Sequence, residues 1–388
     1  MVYDFTLNSL IYPTSAIFLI GFGVIIFYLK SIKLAFFIST IKASIFFIYF
    51  FYFFDGSFTF LDDVKYFTTA SEYINRGETF LNLISSPLNL IYIFGHFHFL
   101  YYLYNILSIE IFGNYYFAPV AMNVIITYFT GVIFYKLLLL LKLNHNSIVF
   151  ITVLYLLHWD ILAWSSIVNF KDFIVQFITI SILYLLVKND IRFSIINILL
   201  IAILVLNVTF LRFYIPYFIL FAYLIFKIFI KYQYSRSNKS FYLLFLSLFI
   251  ITIGIILNLF FRSEVNLFLN HVTNPLIGMV RFIMTPLPFH MEEGYDFLLF
   301  SSLIDFLSLP LFLYGLYLFS RLNSKYKYLI LIYFLIILFF YGSFAELQGP
   351  RHKIQILPFI ILFQGLGYIK IIQKILYRKH YAKNNIPN

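Results

Sequence analysis

The sequence predicts an all-α polytopic membrane protein in which residues 1–388 form a single transmembrane domain. Of its residues, 62% are hydrophobic and only 11% are charged, which excludes a water-soluble globular domain. Apolar runs recur that are long enough to cross about 30 Å of hydrocarbon, which takes about 20 helical residues. About 11 transmembrane helices are predicted, at residues 10–29, 34–54, 114–135, 147–165, 171–187, 193–211, 213–231, 241–261, 297–319, 328–344 and 353–373.

The distribution of charge between these spans predicts their orientation. Basic residues cluster in the loops on one side, for example at Lys30, Lys136 and Lys188 and in the C-terminal tail. Nearly all acids fall on the other side, with Asp190 as the exception. By the positive-inside rule the basic side is cytoplasmic. The prediction is therefore a multi-pass protein of the bacterial inner membrane, with its N-terminus outside and its C-terminus in the cytoplasm.

The net charge of +11 and the absence of cysteine narrow the function classes. Membrane orientation accounts for the positive charge, and no soluble segment is large enough to hold a nucleic acid. Membrane lipids are expected partners, and nucleic acid is not. Without cysteine, neither a disulfide framework nor a thiolate metal site can form.

Two long loops on the acidic side, residues 55–113 and 262–296, are expected to carry interfacial helices. In the first loop, the pattern predicts a short helix over residues 63–77 with Asp62 as its N-cap. Residues 88–112 are aromatic and apolar but are interrupted by polar side chains. This pattern predicts a helix lying on the membrane surface rather than a span.

Asp62 and Asp63 are the candidate catalytic residues. They follow a long apolar run in a chain that is almost free of charge. Ionised groups beside a bilayer are costly unless solvated or paired, so such carboxylates are more often functional than incidental. One of them would act as a general base toward a hydroxyl group. Alternatively, the pair only begins the interfacial helix, since Asp commonly caps helices.

Four segments, in this order, resemble the GT-C superfamily of membrane glycosyltransferases, in particular the branch of protein O-mannosyltransferases and lipid A aminoarabinose transferases. The two prolines that the family carries after the histidine of its second segment are missing here. The segments are Asp62-Asp63-Val64-Lys65-Tyr66, then His98-Phe99-Leu100-Tyr101-Tyr102 with Phe112-Gly113-Asn114, then Trp164-Ser165-Ser166 with Asn169-Phe170-Lys171-Asp172, and finally Gly349-Pro350-Arg351-His352-Lys353.

The resemblance implies a GT-C-like fold and a glycosyltransferase with a place in cell-envelope polysaccharide biosynthesis. Such an enzyme moves a sugar from a polyprenyl-phosphate-linked donor to a glycan, lipid or protein acceptor on the outer face of the membrane. Either Asp62 or Asp63 would be the base, and the family pattern slightly favours Asp62. Inversion at the anomeric carbon is usual in the family.

Five cations on the acidic side are candidates to hold the donor phosphate, because guanidinium and ammonium groups at this depth suit a lipid phosphate. Arg212 and Arg351 are favoured, since each interrupts an apolar helix end. Alternatively these cations anchor the helices to lipid headgroups, and the adjacent Asp172 neutralises Lys171 locally. The five candidates are Arg212, Arg351, Lys353, Lys171 and Arg281.

Further polar residues are candidates to orient the acceptor or to serve as a second acid. No metal site is predicted, because His96 and His98, even together with Glu110, have no ligand geometry behind them. The cofactor is therefore unknown, and nothing in the sequence indicates a divalent cation. The acceptor or second-acid candidates are Asp160, Asp172 and Tyr66.

Two alternative functions remain open. An O-antigen-type polysaccharide polymerase, which uses diphosphate-linked oligosaccharides, also has many spans and two large outer loops. Its arginine followed ten residues later by glycine is not matched by Arg281 and Gly294. A transporter or flippase of lipid-linked sugars would place ionisable residues and broken helices within the membrane. Asp305 is the main residue of that kind, whereas Lys42 is expected to snorkel to the cytoplasmic surface.

Overall fold

A computed structural model describes residues 6–55, 61–85, 98–234, 272–289 and 294–384 of the chain. In these ranges the protein is all-α, with no β-strand and one isolated antiparallel bridge between Val272 and Phe344. Seven of the described helical segments are long and apolar enough to cross a membrane, so the chain is a multi-pass membrane protein. These segments are Leu7–Leu29, Ile32–Phe53, Phe117–Leu140, His145–Ile167, Asp172–Ile191, Asp296–Ser320 and Pro350–Leu376.

Sixteen α-helices are numbered here in chain order within the described residues. They are α1 Leu7–Leu29, α2 Ile32–Ile48, α3 Leu61–Asn75, α4 Phe80–Ser85, α5 Phe99–Phe112, α6 Phe117–Leu140, α7 His145–Leu157, α8 Trp159–Ile167, α9 Asp172–Ile191, α10 Ile195–Thr209, α11 Ile215–Tyr234, α12 Pro275–Met284, α13 Leu299–Ser320, α14 Lys327–Ser343, α15 Pro350–Lys353 and α16 Leu357–Asn384. The π-helical turn Tyr49–Phe53 extends α2, and the 3-10 turns Asp296–Leu298, Ala345–Leu347 and Ile354–Ile356 lie beside α13, α14 and α15.

Each predicted span coincides in sequence with helical residues of the structure, except residues 241–261, which fall outside the described residues. The number of eleven spans therefore stays a prediction. The helix expected over residues 63–77 is α3, and it begins at Leu61, so Asp62 lies inside its first turn rather than at an N-cap. It ends before Gly77, which has a φ of 82°, a left-handed conformation that glycine adopts without steric cost.

The span predicted over residues 147–165 is broken. At His158 the backbone is extended, with φ −60° and ψ 132°, and this residue separates α7 from α8. Neither proline nor glycine lies at the break, so no local sequence pattern indicates it. Non-helical backbone inside a membrane is tolerated where protein covers it, and His158 is buried.

The helix α5 differs from the surface-lying helix that its aromatic pattern predicted. Nine of its residues are buried, including Tyr101 and Asn105, both with no exposed surface. It packs between α3 and α6. The described part of this segment is therefore an internal element of the protein, and its tyrosine and asparagine side chains have protein partners rather than lipid headgroups.

Two glycines bring α13 and α16 into close contact. A Cβ atom on Gly315 would lie 1.6 Å from the carbonyl oxygen of Phe363, and one on Gly367 would lie 2.3 Å from that of Leu311. Small residues at such interfaces allow helix backbones to approach in a membrane, where packing drives association. The contact holds α16 against α13. Because only the 3-10 turn Ile354–Ile356 separates α15 from α16, it also limits where α15 can lie.

The substitution Gly315→Leu is expected to destabilise the protein by at least about 1–3 kcal/mol, because the new side chain overlaps backbone atoms that cannot move aside. The matched control is Gly23→Leu on α1, where an added Cβ meets no atom within 4 Å. The measurement is the thermal unfolding midpoint in detergent. Equal midpoints for the two variants would show that the close contact is not required.

Candidate functional site

Charged and aromatic side chains from distant parts of the chain meet at the end of the bundle where α9 begins. The start of α9 lies here, while its far end carries Asp190, which accepts hydrogen bonds from Lys325 Nζ (2.7 Å) and Tyr326 Oη (3.0 Å). We refer to the residues at the first end as the Asp62 cluster, which consists of Asp62, Tyr66, His98, Lys171, Asp172, Arg212, Arg351 and His352.

Asp62 and Asp63 have different environments. The Asp62 side chain is 56% exposed, and its Oδ2 lies 3.2 Å from Nη1 of Arg351. Asp63 is completely buried and accepts hydrogen bonds from the Tyr116 hydroxyl (2.6 Å) and from the Val64 amide (2.9 Å). Burial raises the pKa of Asp63 to about 6, although the Tyr116 hydrogen bond opposes this shift. Asp62 is thus accessible to a substrate, whereas Asp63 anchors α3.

Asn169 links α3 to α5 beneath this pair. Its amide nitrogen donates to the main-chain oxygen of Asp63 (3.3 Å) and to Oδ1 of Asn105 (2.7 Å). Its own Oδ1 accepts a hydrogen bond of 2.5 Å from the Tyr101 hydroxyl. Because all three side chains are buried, this network fixes the backbone at Asp63 relative to the turn that carries Lys171.

Lys171 lies in the turn before α9, and its side chain is buried. Its Nζ lies 2.9 Å from Nδ1 of His98 and donates to the Tyr66 hydroxyl at 3.3 Å. Burial, together with the charge of Arg212, lowers the pKa of Lys171 to about 7. Burial and, after it, the charge of Lys171 lower the pKa of His98 to about 4. His98 is therefore neutral at neutral pH and accepts a hydrogen bond from the lysine.

Asp172 pairs with Arg212 rather than with its neighbour Lys171. Nη2 of Arg212 lies 2.9 and 3.2 Å from the two carboxylate oxygens, and Gln355 donates to Oδ1 of Asp172 at 2.8 Å. Nη1 of Arg212 lies 3.4 Å from Nε2 of His352. Because arginine only donates, Nε2 of His352 is the acceptor and its Nδ1 carries the proton. This Nδ1 and the Nε of Arg212 are buried, and neither has a hydrogen-bond partner in the described part of the chain.

The Asp62 cluster carries more positive than negative charge. Three cations, Lys171, Arg212 and Arg351, face two carboxylates, Asp62 and Asp172. The excess is one positive charge when Lys171 is protonated. Together with the two unpartnered N–H groups, this arrangement suits an anion that carries one negative charge and several acceptor oxygens.

The remaining predicted site residues lie elsewhere. Arg281 is exposed on α12 and makes no hydrogen bond or ion pair with any described residue. Lys353, another phosphate candidate, and Asp160 lie apart from the Asp62 cluster. They belong to a second group that we call the His158 cluster. It consists of His158, Asp160, Ser301, Asp305, Lys353 and Gln364. The ammonium of Lys353 bonds to Asp305 in this cluster. Of the five predicted phosphate-binding residues, three therefore lie in the Asp62 cluster, Lys353 lies in the His158 cluster, and Arg281 lies in neither.

The His158 cluster lies within the membrane-spanning segments and is buried throughout. Lys353 Nζ bonds to Asp305, lies 3.6 Å from Oδ2 of Asp160 and donates to the Thr285 carbonyl at 3.2 Å. Nε2 of His158 lies 3.5 Å from Oδ1 of Asp305. Two neutral groups complete the contacts, since Ser301 donates to Asp160 and Gln364 donates to Asp305 at 3.3 Å.

Histidines and acids that could bind a metal lie in two places, the His158 cluster and the first long loop. The ligand atoms of His158, Asp160 and Asp305 lie within 4.8 Å of one another, the one such group among the described residues. The ammonium of Lys353 already acts as the cation for the same two carboxylates. In the first loop, Glu110 accepts from the Phe80 amide (2.7 Å) at the opposite end of α5 from His98, while His96 lies outside the described residues.

Sequence analysis missed several residues of these clusters. His352 and His158 were not among the candidate site residues. His352 lies in the segment Gly349–Lys353, whose run of three basic residues was its signal, whereas His158 follows no motif. The expectation that Lys42 snorkels to the surface was wrong. Lys42 lies in the second half of α2, and its side chain is fully buried. Its Nζ donates to Oγ1 of Thr127 on α6 at 2.8 Å.

Comparison with known proteins identifies no family for the chain. No protein-family model matches the chain, and neither a curated protein nor a solved structure shows significant similarity to it. The function is therefore inferred from the residues of the two clusters.

The raised pKa of Asp63 predicts a pH-dependent stability. Because the native state favours protonated Asp63, its contribution is fully present below about pH 4 and is lost as the pH rises to about 6, by up to about 3 kcal/mol. The neutral variant Asp63→Asn is expected to lose this dependence, as measured by thermal unfolding between pH 4 and 7. Asp62→Asn is the control and should keep the wild-type profile. Parallel profiles for wild type and Asp63→Asn would contradict the prediction.

Proposed function

We propose that this protein is a GT-C-like membrane glycosyltransferase that moves a sugar from a polyprenyl-phosphate-linked donor to the hydroxyl of a glycan, lipid or protein acceptor at the outer face of the membrane. One observation carries the proposal. The accessible carboxylate of Asp62 lies 3.2 Å from a guanidinium, beside a buried lysine and a second arginine. Sugar transfer from a lipid phosphate needs a general base for the acceptor hydroxyl and cations for the phosphate in the same site.

Asp62 has the exposure that a general base requires. In the proposed step Asp62 takes the proton of the acceptor hydroxyl as the acceptor oxygen bonds to the anomeric carbon of the sugar. The bond between that carbon and the phosphate oxygen breaks, and its electrons leave with polyprenyl phosphate. A positioned base contributes about 10²- to 10⁴-fold to such a reaction. Asp63 takes no part, since its carboxylate is engaged by Tyr116.

The cations of the Asp62 cluster would stabilise the leaving phosphate. Charge develops on the phosphate as the bond to the sugar breaks, and preorganised donors are most effective at such positions. Lys171, Arg212 and the Nδ1 proton of His352 provide donors that are already fixed by the protein. Arg351 is half-buried, and its release from Asp62 to the phosphate would free the base when the donor binds.

The charge balance favours a monophosphate donor over the diphosphate of the polymerase alternative. A sugar linked to a lipid through one phosphate is a phosphodiester with one negative charge, which matches the single excess positive charge of the cluster. A diphosphate linkage carries two. The monophosphate therefore leaves the bound cluster close to neutral, which is favourable beside a bilayer.

Transport of a lipid-linked sugar is the second candidate, and the His158 cluster favours it. A broken helix with buried ionisable residues within the membrane is typical of transporters. The two functions can be separated in vesicles by measuring sugar transfer and transbilayer movement of the lipid-linked sugar in parallel. Transbilayer movement that persists in the Asp62→Ala, Asp63→Ala double variant would exclude this pair from a transport pathway.

The variant Asp62→Asn is expected to lower transfer of labelled sugar from polyprenyl-phosphate donors by about 10²-fold or more, because the amide cannot accept the proton. Asp63→Asn is the matched neighbour and is expected to retain most of the activity, since an amide can still accept from Tyr116. The assay uses purified protein with monophosphate and diphosphate donors side by side. Similar activities in the two variants would reject Asp62 as the base.

The variant Arg351→Ala is expected to weaken donor binding and to lower turnover on the order of 10²-fold, because a donor to the leaving phosphate is lost. Arg351→Lys should restore part of the activity, since it returns the charge without the guanidinium geometry. Arg192→Ala, at an exposed arginine beyond the far end of α9, is the control and should behave as wild type. If Arg351→Ala loses only folded protein, the residue is structural.

A further inference from the structure

The His158 cluster takes no part in the proposed transfer reaction, yet it contains four titratable side chains inside the membrane-spanning segments. Their exposed fractions are 6% for His158, 3% for Asp160, 8% for Asp305 and 3% for Lys353. Ionisable residues at such positions are costly and need an explanation. The facing charged groups are Asp160 on the helix that follows His158, Asp305 on α13 and Lys353 on α15.

The charges of this cluster do not balance without one additional proton or cation. Two carboxylates, Asp160 and Asp305, share the single ammonium of Lys353. With a neutral imidazole the cluster has a net charge of −1 in surroundings shielded from water. An uncompensated charge buried in this way is strongly disfavoured, and proteins remove it by binding a proton or a counter-ion.

The imidazole of His158 lies between the two carboxylates. Its Nε2 is 3.5 Å from Oδ1 of Asp305, and its Nδ1 is 4.0 Å from Oδ2 of Asp160. Both Nδ1 and Oδ2 are buried and have no hydrogen-bond partner among the described residues, although Oδ2 forms the longer ion pair with Lys353. A neutral imidazole has one N–H and serves only one carboxylate, whereas an imidazolium can donate to both after a small shift of the ring.

We propose that the His158 cluster is an intramembrane proton-binding site, in which His158 holds a proton as an imidazolium between Asp160 and Asp305, and Lys353 is the fixed cation. The bound proton makes the cluster neutral and supplies a hydrogen-bond donor for Oδ2 of Asp160, which otherwise has the ion pair with Lys353 at 3.6 Å. It also joins the break between α7 and α8 to α13, because the imidazole lies at the break and Asp305 lies on α13.

A divalent metal is the competing occupant of the same residues. The three ligand atoms are close enough together, but the ammonium of Lys353 lies 3.6 Å from Asp160 and is bonded to Asp305. A divalent ion would bring the cluster to a net charge of +1 and would be repelled by this ammonium. The proton gives neutrality without displacing any side chain, and metal binding becomes an outcome of the test.

The test is the protonation state of His158 in the purified full-length protein, measured by NMR of ¹⁵N-labelled histidine in lipid nanodiscs. The variant His158→Gln assigns its signal among the eight histidines. The control is His145, an exposed histidine at the start of α7, assigned with His145→Gln. At about pH 8, above the ordinary histidine pKa of about 6.5, the spectrum of His158 should be that of a doubly protonated ring, and the signal of His145 is the reference for an exposed ring. A neutral ring at His158 would overturn the proposal.

The variant Asp160→Asn tests the charge argument. Removing one carboxylate leaves Asp305 and Lys353 balanced, so His158 is expected to lose its proton at the same pH. A ring that stays doubly protonated in this variant would overturn the electroneutral arrangement. If Asp160→Asn does not fold, the wild-type spectrum still decides. Retention of one equivalent of Zn²⁺ or Mn²⁺ by wild type but not by His158→Gln would replace the proton with a metal. None of these measurements depends on transferase activity.

Discussion

The polar side-chain contacts of the short helix α15 are the constraint on which both clusters depend. Three successive basic residues leave this helix in different directions, since neighbouring residues on a helix point about 100° apart. Arg351 contacts Asp62 on α3, His352 contacts Arg212 beyond α10, and Lys353 contacts Asp305 on α13. A basic residue so close to lipid needs an acid or an acceptor within reach, so these contacts determine how the surrounding helices approach α15.

Burial separates the roles of chemically similar groups. Asp62 and Asp63 are neighbours with the same side chain, yet one is more than half exposed and pairs with an arginine, while the other is enclosed and bound by Tyr116. Arg351 and Lys353 differ in the same way on α15. The exposed members can exchange partners at little cost. The enclosed members cannot do so without leaving an unpaired buried group, and for this reason they serve as fixed supports.

The helices could be predicted from the sequence because hydrophobic runs directly report the length of chain that suits a bilayer. The Asp62 cluster was predicted in part, because arginine and aspartate near helix ends are rare in this chain and therefore conspicuous. The pairing of these groups was not predictable. Arg351 and Asp62 are 289 residues apart, and no local pattern indicates which acid a given base will meet. The break at His158 and the burial of Lys42 were missed for the same reason, since tertiary contacts determine both.

Charge pairing also affects how far the positive-inside rule can be applied to this chain. Arg212 and Arg351 lie at the end of the bundle that was predicted to be external, but each is matched by a carboxylate, Asp172 or Asp62. Lys353 is matched inside the membrane-spanning segments and carries no information about orientation. The basic residues on which the predicted orientation depends are therefore those in loops without acids, such as Lys30 and Lys142. Asp190, at that end of the described bundle, is bound by both Lys227 and Lys325, so even there the lysines outnumber their partner. Among the described residues, lysines outnumber acids at the end opposite the Asp62 cluster, and the prediction that this cluster faces outward depends on that excess.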